Sequence, residues 1–158
     1  IQVFVVELKE NDVSDEVLAA IDKAVRTPIV FELQRGEGER RQVRMAAAHK
    51  QPGSTTPRIS DRFTTVWLPY NAARAPLPPV LDLPGLYAQL LIPLLPLPPR
   101  PGETVSEAVA RVGQASKLKR EMAQLERKLH NEPQLNRKIA LRQQLRQQAA
   151  ALAALTDY

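Results

Sequence analysis

The sequence contains no cysteine, so neither a disulfide framework nor a thiolate metal site can be built from it. Aromatic residues make up only 4% of the 158 residues and glycines number 6, whereas prolines number 14. Alanine, leucine and arginine are plentiful, so much of the 44% hydrophobic content is helix-forming rather than sheet-forming. Such a chain is not expected to build one large core; a small domain carrying an extension fits better. No apolar run reaches the roughly 18 residues that a membrane span needs. The longest candidate, "LYAQLLIPLLPL", is interrupted by Pro93 and Pro96. A basic start followed by a short apolar run is also missing, so the expectation is a cytoplasmic protein with no membrane partner. The first residue is Ile1, inside an apolar run, which reads as a fragment or processed product of something longer.

The net charge of +5 is unevenly spread. Residues 1–102 hold 12 Lys/Arg against 11 Asp/Glu, and residues 103–158 hold 10 against 6, so +4 of the +5 lies in the last third. Between Gln134 and Leu155 there are four basic residues and no acid. That asymmetry points toward an acidic partner.

Three segments follow one another. In residues 1–70, "IQVFVVEL" is apolar on both alternating faces and is expected to be a central strand covered on both sides. "SDEVLAAIDKAV" places Val17, Leu18, Ile21 and Val25 on one helical stripe, with Ser14 or Asp12 positioned to cap it. "IVFEL" and "RQVRMAAAH" flank a glycine-containing turn and read as a β-hairpin, and "DRFTTVWL" supplies a fourth strand after the polar loop "KQPGSTTPRIS". The second segment, 71–102, lies in a stretch with ten prolines between Pro69 and Pro101. It reads as semi-rigid extended chain around a short helix, "LDLPGLYAQLL", capped by Asp82 and packed by Leu83, Leu86, Leu90 and Leu91. "APLPPV" also has the form of a ligand for SH3-type domains, a generic pattern.

From 103 to 158 the pattern is helical. Thr104 and Glu107 form a capping-box signature; Val105, Ala108, Val112 and Ala115 share one stripe, which Leu118, Met122, Leu125 and Leu129 continue at 4-3-4 spacing. Pro133 removes a backbone donor and ends the helix near His130 to Glu132. Periodicity restarts at Leu135 and runs through Leu141, Leu145, Ala149, Leu152 and Leu155. An antiparallel, coiled-coil-like helical hairpin is the economical reading, each arm about 22 residues and roughly 33 Å long. The expected fold class is therefore α+β: a small mixed or antiparallel sheet of about four strands with one packed helix, a Pro-rich connection with a short helix, and the hairpin.

Candidate chemistry is sparse. Glu7 and Lys9 alternate to one face at a strand end, the Glu-x-Lys half of a PD-(D/E)xK metal-dependent nuclease, whose partner aspartate would precede Ile1; Glu-x-Lys is very common by chance, and a solvated strand end leading into the polar loop is the simpler explanation. His49 and His130 have no ligand neighbours in sequence, so no metal site is assigned. Neither P-loop nor G-x-S-x-G spacing occurs, and no catalytic residue or cofactor is assigned. The basic residues Lys117, Lys119, Arg120, Arg137, Lys138, Arg142 and Arg146 are candidates for nonspecific phosphate contact, against the alternative of a solvated or protein-binding face. No aromatic residue lies between Tyr87 and Tyr158 to stack on bases. Leu118, Met122, Leu125, Leu129, Leu135 and Ile139 are the candidate partner interface, because a two-helix surface leaves positions such as Leu135 and Ile139 off the main seam.

"IQVFVVELK", "IDKAVRTPIVFEL", "WLPYNAARAPLPPVLDLPGLYAQLL", "LLPLPPRPGE" and "LERKLHNEPQLNRKIALRQQL", in this order over nearly the whole chain, resemble the bacterial domain of unknown function 4391 family. That resemblance implies no established enzymatic activity. It implies instead an accessory role beside a DNA methyltransferase or helicase of restriction or phage-defence type, and family members are usually longer at the N-terminus. The last 40 or so residues are also similar to the C-terminal arm of valyl-tRNA synthetases, interrupted here at Asn131-Glu132, an arm that packs against tRNA; this is analogy alone. The leading expectation is a non-enzymatic interaction protein, docking a methyltransferase, a helicase or a second copy of itself. A nucleic-acid-binding accessory factor stands second and the nuclease third.

Overall fold

The computed structural model describes residues 1–51 and 58–157 and divides into two compact units, 1–98 and 99–158. The first unit carries β1 (Gln2–Glu7), α1 (Asp15–Ala24), β2 (Ile29–Arg35), β3 (Gln42–Gln51), β4 (Arg58–Thr64), β5 (Leu68–Pro69) and α2 (Leu83–Leu91). The second consists of α3 (Val105–Asn131) and α4 (Leu135–Thr156). This is the α+β architecture expected, with a mixed sheet and a C-terminal helix pair. Much of the loop "KQPGSTTPRIS" lies outside the described residues, although its ends belong to β3 and β4. No helix among the described residues is long and apolar enough to cross a membrane.

The sheet runs β1-β2-β3-β4, with β5 extending the β4 side of β3. β1 and β2 are parallel and joined by α1; β2, β3 and β4 form an antiparallel meander. In this register Phe4 lies beside Phe31, Val6 beside Leu33, and Phe31 beside Ala46. Those side chains and Leu18 of α1 make the core, against which Ile21, Val25 and Trp67 pack. Phe4 meets Phe31 edge to face, with centroids 6.0 Å apart. On the opposite face Arg74 pairs with Glu32, and α2 contacts β3.

β1 is an edge strand, not the central one its composition suggested. β2 is buried from Ile29 to Gln34, while Val3 and Val5 of β1 remain 58% and 59% exposed. Apolar residues on both faces of a strand signal burial only if neighbours exist on both faces, and nothing in a strand's own sequence supplies them. The expected fourth strand is also interrupted: β4 ends at Thr64, Trp67 lies between elements, and pairing resumes with β5.

Local signals at the helix ends hold with one exception. The Asp82 carboxylate accepts from the Gly85 N–H at 2.7 Å, and Thr104 and Glu107 complete both bonds of their capping box. Ser14 occupies the N-cap of α1 without a side-chain cap bond, while Asp12 accepts from Val13 N–H. In α2 the buried anchors are Tyr87 and Leu91; Leu83, expected to pack, is 64% exposed.

Candidate functional site

In the second unit Pro133 lies in the short turn between α3 and α4, and the helices run back along each other. The base of the pair is fastened by two arginines. Arg111 donates to both oxygens of Glu103 at 2.8 Å and to the Leu155 carbonyl at 3.1 Å, and Arg100 donates to the carbonyls of Ala154 and Asp157. Both cations thus sit on the carbonyls that end α4, where the helix dipole favours positive charge. Farther along, Gln148 bridges to Glu121 at 3.2 Å.

Bonds from Arg111, and then from the Arg100 N–H, hold the Glu103 carboxyl down at about 2. A carboxyl lowered on folding contributes stability that is present above its ordinary value and disappears as pH falls through the lowered one. The helix pair is therefore expected to lose thermal stability progressively between about pH 4.5 and pH 2, read by circular dichroism at 222 nm. Glu103→Gln should be less stable at neutral pH and flatter across that window; an unchanged slope would remove Glu103 from the account.

Leu118, Met122, Leu125 and Leu129 of α3 are half-buried, as are Leu141, Leu145, Gln148, Leu152 and Leu155 of α4. The hairpin seam therefore takes up four of the six apolar candidates. Leu135 and Ile139 stay outside it at 68% and 46% exposure. Ala149, placed in the α4 seam by its spacing, is exposed instead, and Leu135 stands exposed where the periodicity restarts. The half-buried residues follow the spacing 141, 145, 148, 152, 155, in phase with Lys138, and Ala149 falls one position out of that phase.

The apolar residues of α4 thus fall on two stripes one residue apart in phase, about 100° around the helix. On the stripe outside the seam, Leu135, Ile139, Arg142, Arg146, Ala149 and Ala153 recur at 4-3-4-3-4 spacing, all exposed. Two of the basic candidates therefore share a stripe with the two exposed apolar ones. Arg137 is exposed and Lys138 half-buried; on α3, Lys117, Lys119 and Arg120 are exposed, with Lys117 3.9 Å from Glu121. Beside the turn, Arg127, Lys128, Asn131, Glu132 and Arg137 line a cleft of about 560 Å³. Arg127 and Lys128 were not singled out in the sequence, since only the antiparallel pairing brings them next to Arg137.

The first unit holds two polar clusters. Asp22 of α1 is fully buried: its Oδ2 accepts from Arg62 at 2.9 and 3.2 Å, and its Oδ1 lies 3.5 Å from the Lys50 ammonium. Burial pushes the Asp22 carboxyl above its ordinary range against the pull of both cations. Lys50 donates to the carbonyls of Asp22, Val25 and Thr27, ending α1 as a buried side-chain cap. Beside it, Tyr87 donates to the Ala48 carbonyl, burial pushes its hydroxyl up to about 12, and its ring stacks on His49. Burial lowers the His49 imidazole below its ordinary value. His130 is exposed in the last turn of α3.

The second cluster lies at the carboxyl end of β1. Glu7 pairs with Arg41 at 3.0 Å, Arg41 also donates to Gln34, Gln34 donates to Glu32, and Glu32 pairs with Arg74. Burial pushes the Glu32 carboxyl up, but the bonds from Arg74 and Gln34 outweigh it and hold it below the ordinary range. Glu7 and Lys9 border a cleft of about 690 Å³ together with Gln34, Glu37 and Arg41. The carboxylate of Glu7 is thus committed to an arginine. Among the described residues no group of three or more His, Cys, Asp or Glu is placed to hold a metal ion.

The arrangement best suited to recognition is therefore the exposed stripe of α4, where two large apolar side chains are followed by two cations on one helix. No curated protein and no solved structure matches the chain. The family described as a domain of unknown function (DUF4391) matches residues 1–152 of the 158, and the chain belongs to that family.

Proposed function

We propose that this protein is a non-enzymatic interaction subunit whose helical hairpin grips a protein partner. The observation that carries the reading is the exposure of Leu135 and Ile139 on α4, outside the seam that joins the two helices. Exposed large apolar side chains aligned on one helix face mark a contact surface more often than isolated ones do. The partner we propose is the DNA methyltransferase or helicase that the family resemblance implies. The test is light scattering on the untagged protein, alone and mixed with the products of neighbouring genes. A stable complex with one of them is expected; monomeric behaviour with no co-purifying partner would count against the reading.

A second reading, nonspecific nucleic-acid contact, is favoured by the convergence of Arg127, Lys128 and Arg137 on the cleft beside the turn. It requires binding to a DNA or RNA duplex that weakens steeply with salt and with Arg142→Ala and Arg146→Ala. Binding that ignores salt, or none at low salt, would end it.

A further inference from the structure

We propose that the outward stripe of α4 is a dock for an acidic amphipathic helix of a partner protein, laid alongside α4 as a third helix. This rests on the reading of the hairpin as a protein-binding arm and states what that arm recognises. Leu135, Ile139, Arg142, Arg146, Ala149 and Ala153 repeat at the spacing that helix-on-helix packing uses, and all are exposed. The order along the stripe sets the partner's character. Leu135 and Ile139 offer apolar contact near the turn, Arg142 and Arg146 ask for carboxylates in the middle, and Ala149 and Ala153 let a second helix approach closely at the far end.

Charge decides between occupants. α4 contains no Asp or Glu from Leu135 to Thr156, and Arg137 and Lys138 stand close to its N-terminus, where the helix dipole disfavours cations. By contrast α1 opens with Asp15 and Glu16, and α3 with Glu107 in its first turn. Carboxylates supplied from outside offset that unfavourable placement. A second copy of the chain does not. Pairing two such stripes sets Arg142 against Arg146 when antiparallel, and each arginine against itself when parallel. A phosphate backbone would satisfy the arginines and leave Leu135 and Ile139 in water.

The probe is a fluorescein-labelled synthetic helix of about three heptads, leucine at a and d and glutamate at e and g. Its control carries lysine in place of each glutamate. Anisotropy against the full chain is expected to show binding of the acidic helix and none of the basic one. Arg142→Glu with Arg146→Glu should weaken binding at least tenfold, and Leu135→Asn with Ile139→Asn should do the same. Lys119→Glu with Arg120→Glu, on α3, should leave it unchanged; circular dichroism verifies that each variant keeps its helices. Equal affinity for both peptides, no binding of the acidic one, or sensitivity to the arginine pair without sensitivity to the apolar pair would overturn the dock. The last outcome is the behaviour of a phosphate-binding surface. The same variants carried into the mixture with neighbouring gene products separate the two proposals. A complex that survives all four α4 substitutions overturns the dock and leaves the interaction subunit standing. Peptide binding without any such complex supports the dock and overturns the proposed partner system.

Discussion

Asp22→Ala is expected to destabilise the first unit by about 3–5 kcal/mol, the cost typical of removing one member of a buried ion cluster. Asp22 is 0% exposed, and the side chains of Lys50 and Arg62 are 2% and 4% exposed, so both cations would be left inside without the carboxylate that faces them. Lys50 keeps its three carbonyl acceptors, whereas among the described residues Arg62 keeps the partly exposed Asp15 carboxylate at 3.3 Å from its Nε and the Phe31 ring 5.5 Å away. The loss therefore falls mainly on Arg62. Urea unfolding followed by fluorescence of Trp67, the single tryptophan, gives the measurement, since this ring packs against the core. A loss below about 1 kcal/mol would mean that water reaches the arginine once the carboxylate is gone.

Phe31→Ala should cost a similar amount, about 3–5 kcal/mol, for a different reason: a fully buried ring is replaced by a cavity. Phe31 stands in the buried run of β2, edge to face with Phe4, and the Arg62 guanidinium lies 5.5 Å from its centroid. The two predictions are thus coupled. The double variant should lose less than the sum of the single losses, because each single change already disturbs Arg62. Strict additivity in the same urea titrations would show that the ring and the ion cluster are independent.

What could be read from the sequence was mostly local. The capping box at Thr104 and Glu107, the Asp82 cap and the break at Pro133 depend on neighbours a few residues away, and each is where the pattern puts it. The position of β1 at the sheet edge depends on strand order, which no alternation within Gln2–Glu7 encodes. The buried ions left a faint trace. Asp22 lies four residues after Leu18 on the apolar stripe of α1, and Lys50 is in phase with Ala46 and Ala48 on β3, so charged residues stood at core positions. Their sense came only from long-range pairing, which set an α1 carboxylate against cations from β3 and β4. For the hairpin, the seam on α3 was legible because its spacing is regular; on α4 two stripes of similar apolarity compete, and the choice between Ala149 and Gln148 needed the partner helix. That same ambiguity concealed the shared face of Leu135, Ile139, Arg142 and Arg146.

Among the described residues the arginine fastening of the hairpin lies at one end, with the Gln148–Glu121 bond midway along it. Arg100 and Arg111 hold the termination of α4, and the buried residues of α3 all fall between Ala108 and Ala115. Toward the turn the contact rests on half-buried side chains alone. Fraying consequently starts at the tip and stops at the root, so amide protection should grade along the rods instead of vanishing at once. The stretch bearing Leu135 and Ile139 is thereby the most compliant part of the arm, able to adjust its angle to an arriving surface while its anchorage stays fixed.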